Sequence, residues 1–180
     1  MFEEIRNCKL CTSTDFLINV PQPGYLVGNK VLYLGQNPGM LRYHDYDLKL
    51  RDKNITEEDF NYNYLNAIKL NKNYMQYINA IYNKFKKLSI LNVVKCPTME
   101  NTFPSDQMIT NCEKYLVEQI HNLNPVNIIA MGKLAQDFCA KYHLQTQSNI
   151  IYSYHYSYLA KIGKLEDEAQ KIKEQLKLED

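Results

Sequence analysis

Short apolar runs with no regular polar break alternate along this chain with longer stretches in which apolar residues recur every three or four positions. Val31 to Gly35 reads VLYLG, apolar on both faces and closed by a glycine. Such a run predicts a buried parallel strand rather than a half-exposed one. Ile90 to Val94, Asn127 to Met131 and Asn149 to Ser153 have similar character, giving four strands. Between them the period becomes helical: Leu65, Ile68, Ile78, Ile81, Tyr82 and Phe85 predict one long helix or two shorter ones over about residues 62 to 87. A helix is predicted from an N-cap at Ser105 to about Leu123, where Asn124-Pro125 stops it, and another from Lys133 to about Tyr142. Residues 1 to 12 read as a short helical turn, and Phe16 to Val27 as a connector broken by Pro21, Pro23 and Gly24. Met40 to about Asn61 is polar and irregular, and the tail from 158 to 180 is a charged helix. Strands alternating with helices predict the α/β class, a three-layer α/β/α arrangement around a central four-stranded parallel sheet. The length of 180 residues fits one domain, residues 1–180.

Composition changes this picture little. The net charge of +1 gives no global positive field, although a local patch suffices to bind a phosphate backbone. No apolar run reaches the ~18 residues of a membrane helix, and no basic-then-apolar leader pattern opens the chain. The expectation is a cytoplasmic protein, or a nuclear or viral one if the source is not prokaryotic, with no membrane partner. The cysteines change more. Cys8 and Cys11 form a C-x-x-C pair, while Cys96 ends the second strand's loop and Cys112 lies sixteen positions (112 − 96) further on. In a reducing compartment these read as metal ligands rather than disulfides. Four thiolates complete the ligand set of a tetrahedral zinc or a cubane cluster, and the cysteines alone do not separate the two. Cys139, on an apolar helix, reads as a small core residue.

Three predicted strand ends carry polar groups: Gly35-Gln36-Asn37-Pro38-Gly39, Asn92-Val93-Val94-Lys95-Cys96 and Tyr154-His155-Tyr156-Ser157. In a parallel sheet these ends share one edge, where open α/β folds bind their ligands, so Asn37, Asn92 and His155 can converge on one cleft. Together with Asn101, Pro104, Cys112 and Gly132, this set resembles the uracil-DNA glycosylase superfamily, specifically its iron-sulfur branch, family 4. The resemblance covers about residues 1–39 and 90–160. It implies a uracil-DNA glycosylase-like fold and a monomer that binds DNA containing uracil or another damaged base. It further implies flipping of uracil into a pocket and hydrolysis of its N-glycosidic bond, leaving an abasic site.

In that reading Asn92 meets the Watson–Crick edge of uracil, His155 donates to O2 of the leaving base, and Gln36 and Asn37 orient water. Gly35, Tyr46 and Asn101 complete the substrate contacts, and Cys8, Cys11, Cys96 and Cys112 hold a 4Fe-4S cluster, with zinc as the alternative. No lysine occupies a nucleophile position, which implies a monofunctional enzyme. The chain departs from the family pattern in several places. Gln36 replaces the usual Glu, Arg42 and Tyr43 replace an acidic pair, and Tyr156 replaces Pro. The P-F-V-G segment with its base-stacking phenylalanine is missing, leaving Tyr43, Tyr46 or Phe60 to stack a base. These departures keep two other readings open: action on hypoxanthine or mismatched thymine, and a catalytically weak DNA-binding module.

Overall fold

The structure is a computed structural model and describes residues 1–11, 21–38, 49–50, 52, 54–98 and 102–178. Its five strands are β1 (Tyr25–Leu26), β2 (Val31–Gly35), β3 (Leu88–Asn92), β4 (Asn127–Met131) and β5 (Asn149–Ser153). They form one sheet in the order β1-β3-β2-β4-β5. The last four are mutually parallel, as the apolar runs predict. The fifth, β1, is a correction to the four-stranded expectation: two residues of the supposed connector pair antiparallel with Ile90 and Ser89. A two-residue strand carries no periodicity, so nothing in the pattern announces it.

Seven α-helices accompany the sheet among the described residues: α1 (Phe2–Arg6), α2 (Glu57–Lys69), α3 (Lys72–Ile81), α4 (Asp106–Leu123), α5 (Lys133–Lys141), α6 (Tyr156–Lys161) and α7 (Leu165–Gln175). The 62–87 stretch thus becomes two helices. Asn71 divides them, its side chain accepting from Tyr74 N at 3.1 Å as the N-cap of α3. Ser105 caps α4 as expected, and Asn124, in the left-handed region at φ 45°, ends it. The charged tail is two helices, α6 and α7, rather than one.

Alternate residues of each strand serve opposite faces. Val31, Tyr33, Ile90, Ile129 and Ile151 pack under α2, α3, α6 and α7, whereas Leu32, Leu34, Leu91, Ile128 and Ala130 pack under α4 and α5. Two apolar layers thus sandwich the sheet, which is why its strands lack a polar face. Strand order reverses on either side of β2, with β3 on one flank and β4 on the other. The crevice at such a switch point opens at the carboxyl end of β2, at Gly35. At the opposite edge Asn127 is fully buried with both ends of its amide engaged. Its Oδ1 accepts from Lys177 N and Asn149 Nδ2, and its Nδ2 donates to Lys30 O and Lys177 O.

Candidate active site

Strand register brings the first two motifs into contact. Gly35 is the register partner of Asn92, and a Cβ at position 35 would lie 2.6 Å from Asn92 Oδ1. A glycine is therefore what lets the Asn92 amide lie across the end of β2. β3 runs two residues earlier than the apolar run suggested, so Asn92 is its last residue rather than its middle one. The backbone remains tied beyond it, with Val93 N donating to Gly35 O and Val94 N to Gln36 O, both at 2.9 Å. The buried Tyr64 of α2 lies beside Asn92, and burial pushes its hydroxyl pKa well up, so it remains a neutral phenol.

After Gly35 a directional chain of hydrogen bonds begins. Thr98, buried in the loop after β3, donates its hydroxyl proton to Thr102 O at 2.6 Å. Its oxygen can then only accept, and it does so from Asn37 Nδ2 at 3.1 Å. The same Nδ2 donates to Pro38 O, and Asn37 Oδ1 accepts from Gln36 Nε2 at 2.9 Å. Both amide hydrogens of Asn37 are thus engaged, and Gln36 is oriented with its Oε1 outside the chain of bonds.

His155 follows β5 and caps α6. Its Nδ1 accepts from Ser157 N at 3.3 Å and lies 2.7 Å from Ser157 Oγ. An Nδ1 that accepts from a backbone N–H carries no proton, so in the neutral ring the proton sits on Nε2, a ready donor. Burial lowers the pKa of the ring, which favours this neutral form. Gly132, at φ +83° between β4 and α5, lies against His155: a Cβ built there would be 3.8 Å from His155 Cβ.

The four cysteines of the two pairs line one narrow pocket with Ile5, Pro21, Lys95 and Tyr115. Three regions bring them together: the end of α1, the loop after β3 and the first turns of α4. Buried Ile5 anchors α1, as does buried Arg6, which donates to Pro21 O and Asp52 O. Lys95 N donates to Cys112 Sγ at 3.3 Å, and Asn111 Nδ2 to Cys11 Sγ at 3.4 Å. Burial pushes the Cys96 thiol up to about 12 and raises Cys112 as well. Burial also lowers Lys95, whose Nζ donates to Asn92 O, to about 7.

Among the described residues no three cysteine, histidine or carboxylate side chains are drawn together as they stand to hold a metal ion. The donor set nevertheless fits a thiolate-bound group: four sulfurs, no competing carboxylate or histidine in the pocket lining, and two N–H donors directed at the sulfurs. Cys139, on the inner face of α5, is fully buried in the core, as its apolar helix suggested.

Residues 23–177 match the family model described as the uracil DNA glycosylase superfamily. The chain belongs to that superfamily. Within it, the chain is 26% identical over 142 residues to a protein named type-4 uracil-DNA glycosylase from Archaeoglobus fulgidus (strain ATCC 49558 / DSM 4304 / JCM 9628 / NBRC 100126 / VC-16). That alignment takes in 75% of this chain and 59% of the relative, so the chain spans about three fifths of the relative's length. The α/β fold with its mostly parallel sheet agrees with the superfamily.

Other site expectations fare variously. Tyr46, Asn101, Tyr43 and Gly39 lie outside the described residues. Phe60 is excluded as a base-stacking residue, because it is fully buried between Phe2, Tyr64 and the Arg6 guanidinium. Thr98 and Tyr64 were not legible as site residues in the sequence, whereas Ser157 belongs to the third strand-end motif. Thr98 and Tyr64 act through contacts with motif residues made in the folded chain, and such contacts leave no spacing signature.

Proposed function

We propose that this member of the superfamily is a monofunctional DNA glycosylase that hydrolyses the N-glycosidic bond of uracil flipped out of DNA. The observation that carries the reading is the Asn92 amide lying over Gly35 at the switch point of the sheet. An amide there can accept from uracil N3–H and donate to O4, whereas cytosine presents the opposite pattern. The neutral His155, with its proton on Nε2, supplies the donor toward O2 as negative charge develops on the leaving base. Gln36, braced by Asn37 and Thr98, orients the attacking water through its amide. An amide aligns water but takes no proton from it, so the reaction relies on an advanced, oxocarbenium-like departure of the base.

We also propose that Cys8, Cys11, Cys96 and Cys112 hold a 4Fe-4S cluster, with zinc as the alternative thiolate-bound group. When bound, it supplies a structural tie rather than chemistry on the base, since hydrolysis transfers no electron. Lys95, buried at the pocket wall with its Nζ donating to Asn92 O, closes the pocket on the side of β3.

The amides at 36 and 37, where the family resemblance would put a carboxylate at 36, favour one second reading: slow turnover, or action on another base such as hypoxanthine or mismatched thymine. The test is excision from labelled oligonucleotides carrying each base, with iron and zinc measured on the same anaerobically purified protein. The uracil reading expects alkali-labile cleavage at uracil, and about four irons per chain if the group is a cubane. Asn92→Asp should reduce uracil excision by roughly 1–3 kcal/mol of transition-state stabilisation and relax rejection of cytosine. Unchanged cytosine discrimination would show that Asn92 does not read the base.

A further inference from the structure

Around His155 the side chains divide sharply by direction. Tyr156 turns inward, stacked on Tyr74 with ring centroids 4.4 Å apart and its hydroxyl accepting from Asn71 Nδ2. Tyr154 and Tyr158, on either side of it, turn outward and are 63% and 50% exposed. Their rings meet at 5.5 Å, tilted by 44°, and form a paired aromatic surface rather than two scattered side chains. Unlike the exposed Tyr62, these two aromatics are paired and stand beside a candidate catalytic histidine, which suits them to a ligand of matching chemistry.

Charge on this segment indicates which chemistry. No acidic residue occurs between Asp137 and Glu166. Lys161 stands one helical turn beyond Tyr158, and neither it nor Lys164 enters an ion pair among the described residues. The acids of α7's first turn, Glu166, Asp167 and Glu168, begin only beyond Lys164. Exposed rings on a segment whose own charges are lysines are the combination that holds an unpaired nucleic-acid strand: bases stack, phosphates meet lysines. In a duplex the faces of the bases are already covered by their neighbours.

We propose that Tyr154 and Tyr158 form a stacking platform for unpaired nucleotides next to the base entering the cleft, which makes single-stranded DNA the preferred form of the substrate. The proposal rests on the glycosylase reading for the position of the cleft.

The experiment is binding of a labelled, uracil-free oligothymidylate of about 16 nucleotides to the full chain by fluorescence anisotropy, with its duplex as comparison. Tyr154→Ala and Tyr158→Ala should each weaken binding about tenfold and the double variant about a hundredfold, while Tyr154→Phe and Tyr158→Phe retain it. Tyr62→Ala, an exposed tyrosine elsewhere on α2, should have no effect. Binding indifferent to both tyrosines, absent binding, a preference for duplex, or a dimer that dissociates on their replacement would each overturn the platform. Uracil excision is measured separately on the same variants. Tyrosine-dependent binding without excision removes the glycosylase reading and leaves the platform, whereas excision with tyrosine-independent binding removes the platform alone.

Discussion

Gly35 and Asn92 show how one residue's lack of a side chain sets another's direction. Because a Cβ at 35 would sit 2.6 Å from Asn92 Oδ1, Gly35→Ala should swing the amide away while leaving the strand intact. Excision should fall about 10²-fold, the usual cost of an ångström-sized misplacement, with an unchanged circular dichroism spectrum. His155 gives a pH prediction. Burial sets its folded pKa below its ordinary value of about 6.5, so the unfolded chain takes up the proton first as pH falls. Its contribution to stability is therefore complete above about pH 6.5 and is lost as pH drops below it; protonating Nδ1 also removes the acceptor for Ser157 N–H. Thermal midpoints measured from about pH 7 to 5 should fall more steeply for the wild type than for His155→Gln, and equal slopes would assign the effect elsewhere. Asn92 and His155 were legible in the sequence because each stands in a polar motif at a predicted strand end. Tyr64 was not, since it comes from a distant helix and meets Asn92 only once the chain has folded.

The turn after β2 and the loop after β3 work as one unit, joined through Asn37 and Thr98. Thr98→Val, which keeps the shape and removes the hydroxyl, should lower kcat for excision about tenfold or more with little change in KM, because Gln36, proposed to orient the water, loses its brace. Thr98→Ser should restore it; a Ser variant as impaired as Val would mean that only packing matters there. Apolar continuity made the four parallel strands readable, since β2, β3 and β4 are buried on both faces and the edge strand β5 keeps an apolar inner face. The same continuity shifted β3 by two residues, because Val93 and Val94 are as buried as the strand itself while already in the following loop. β1 was missed because pairing with the edge of β3, rather than any pattern of its own, makes it a strand.

Taken whole, the molecule has its polar chemistry at one edge of the sheet and a sulfur-lined pocket joining its amino terminus to α4. Asn111 Nδ2, donating to both Leu10 O and Cys11 Sγ, reinforces that junction. If the proposed thiolate-bound group is present, Cys112→Ser should lose it and lower the melting midpoint by roughly 5 to 10 °C, what 2 to 3 kcal/mol is worth in a chain of this size. Cys139→Ser should retain the metal. A Cys112→Ser protein as stable and active as the wild type would refute the tie. At the far end of the molecule, Asn127 and Asn149 grip the tail only through backbone atoms, the N–H and carbonyl of Lys177 and the carbonyl of Gln175. Side chains at those two positions are consequently free to drift over evolution, whereas the number of residues between α6 and Lys177 is not. A single insertion or deletion there would slide the wrong carbonyl past a buried amide, so this tail is held to its length as well as to the buried Leu165, Ala169 and Ile172 of α7.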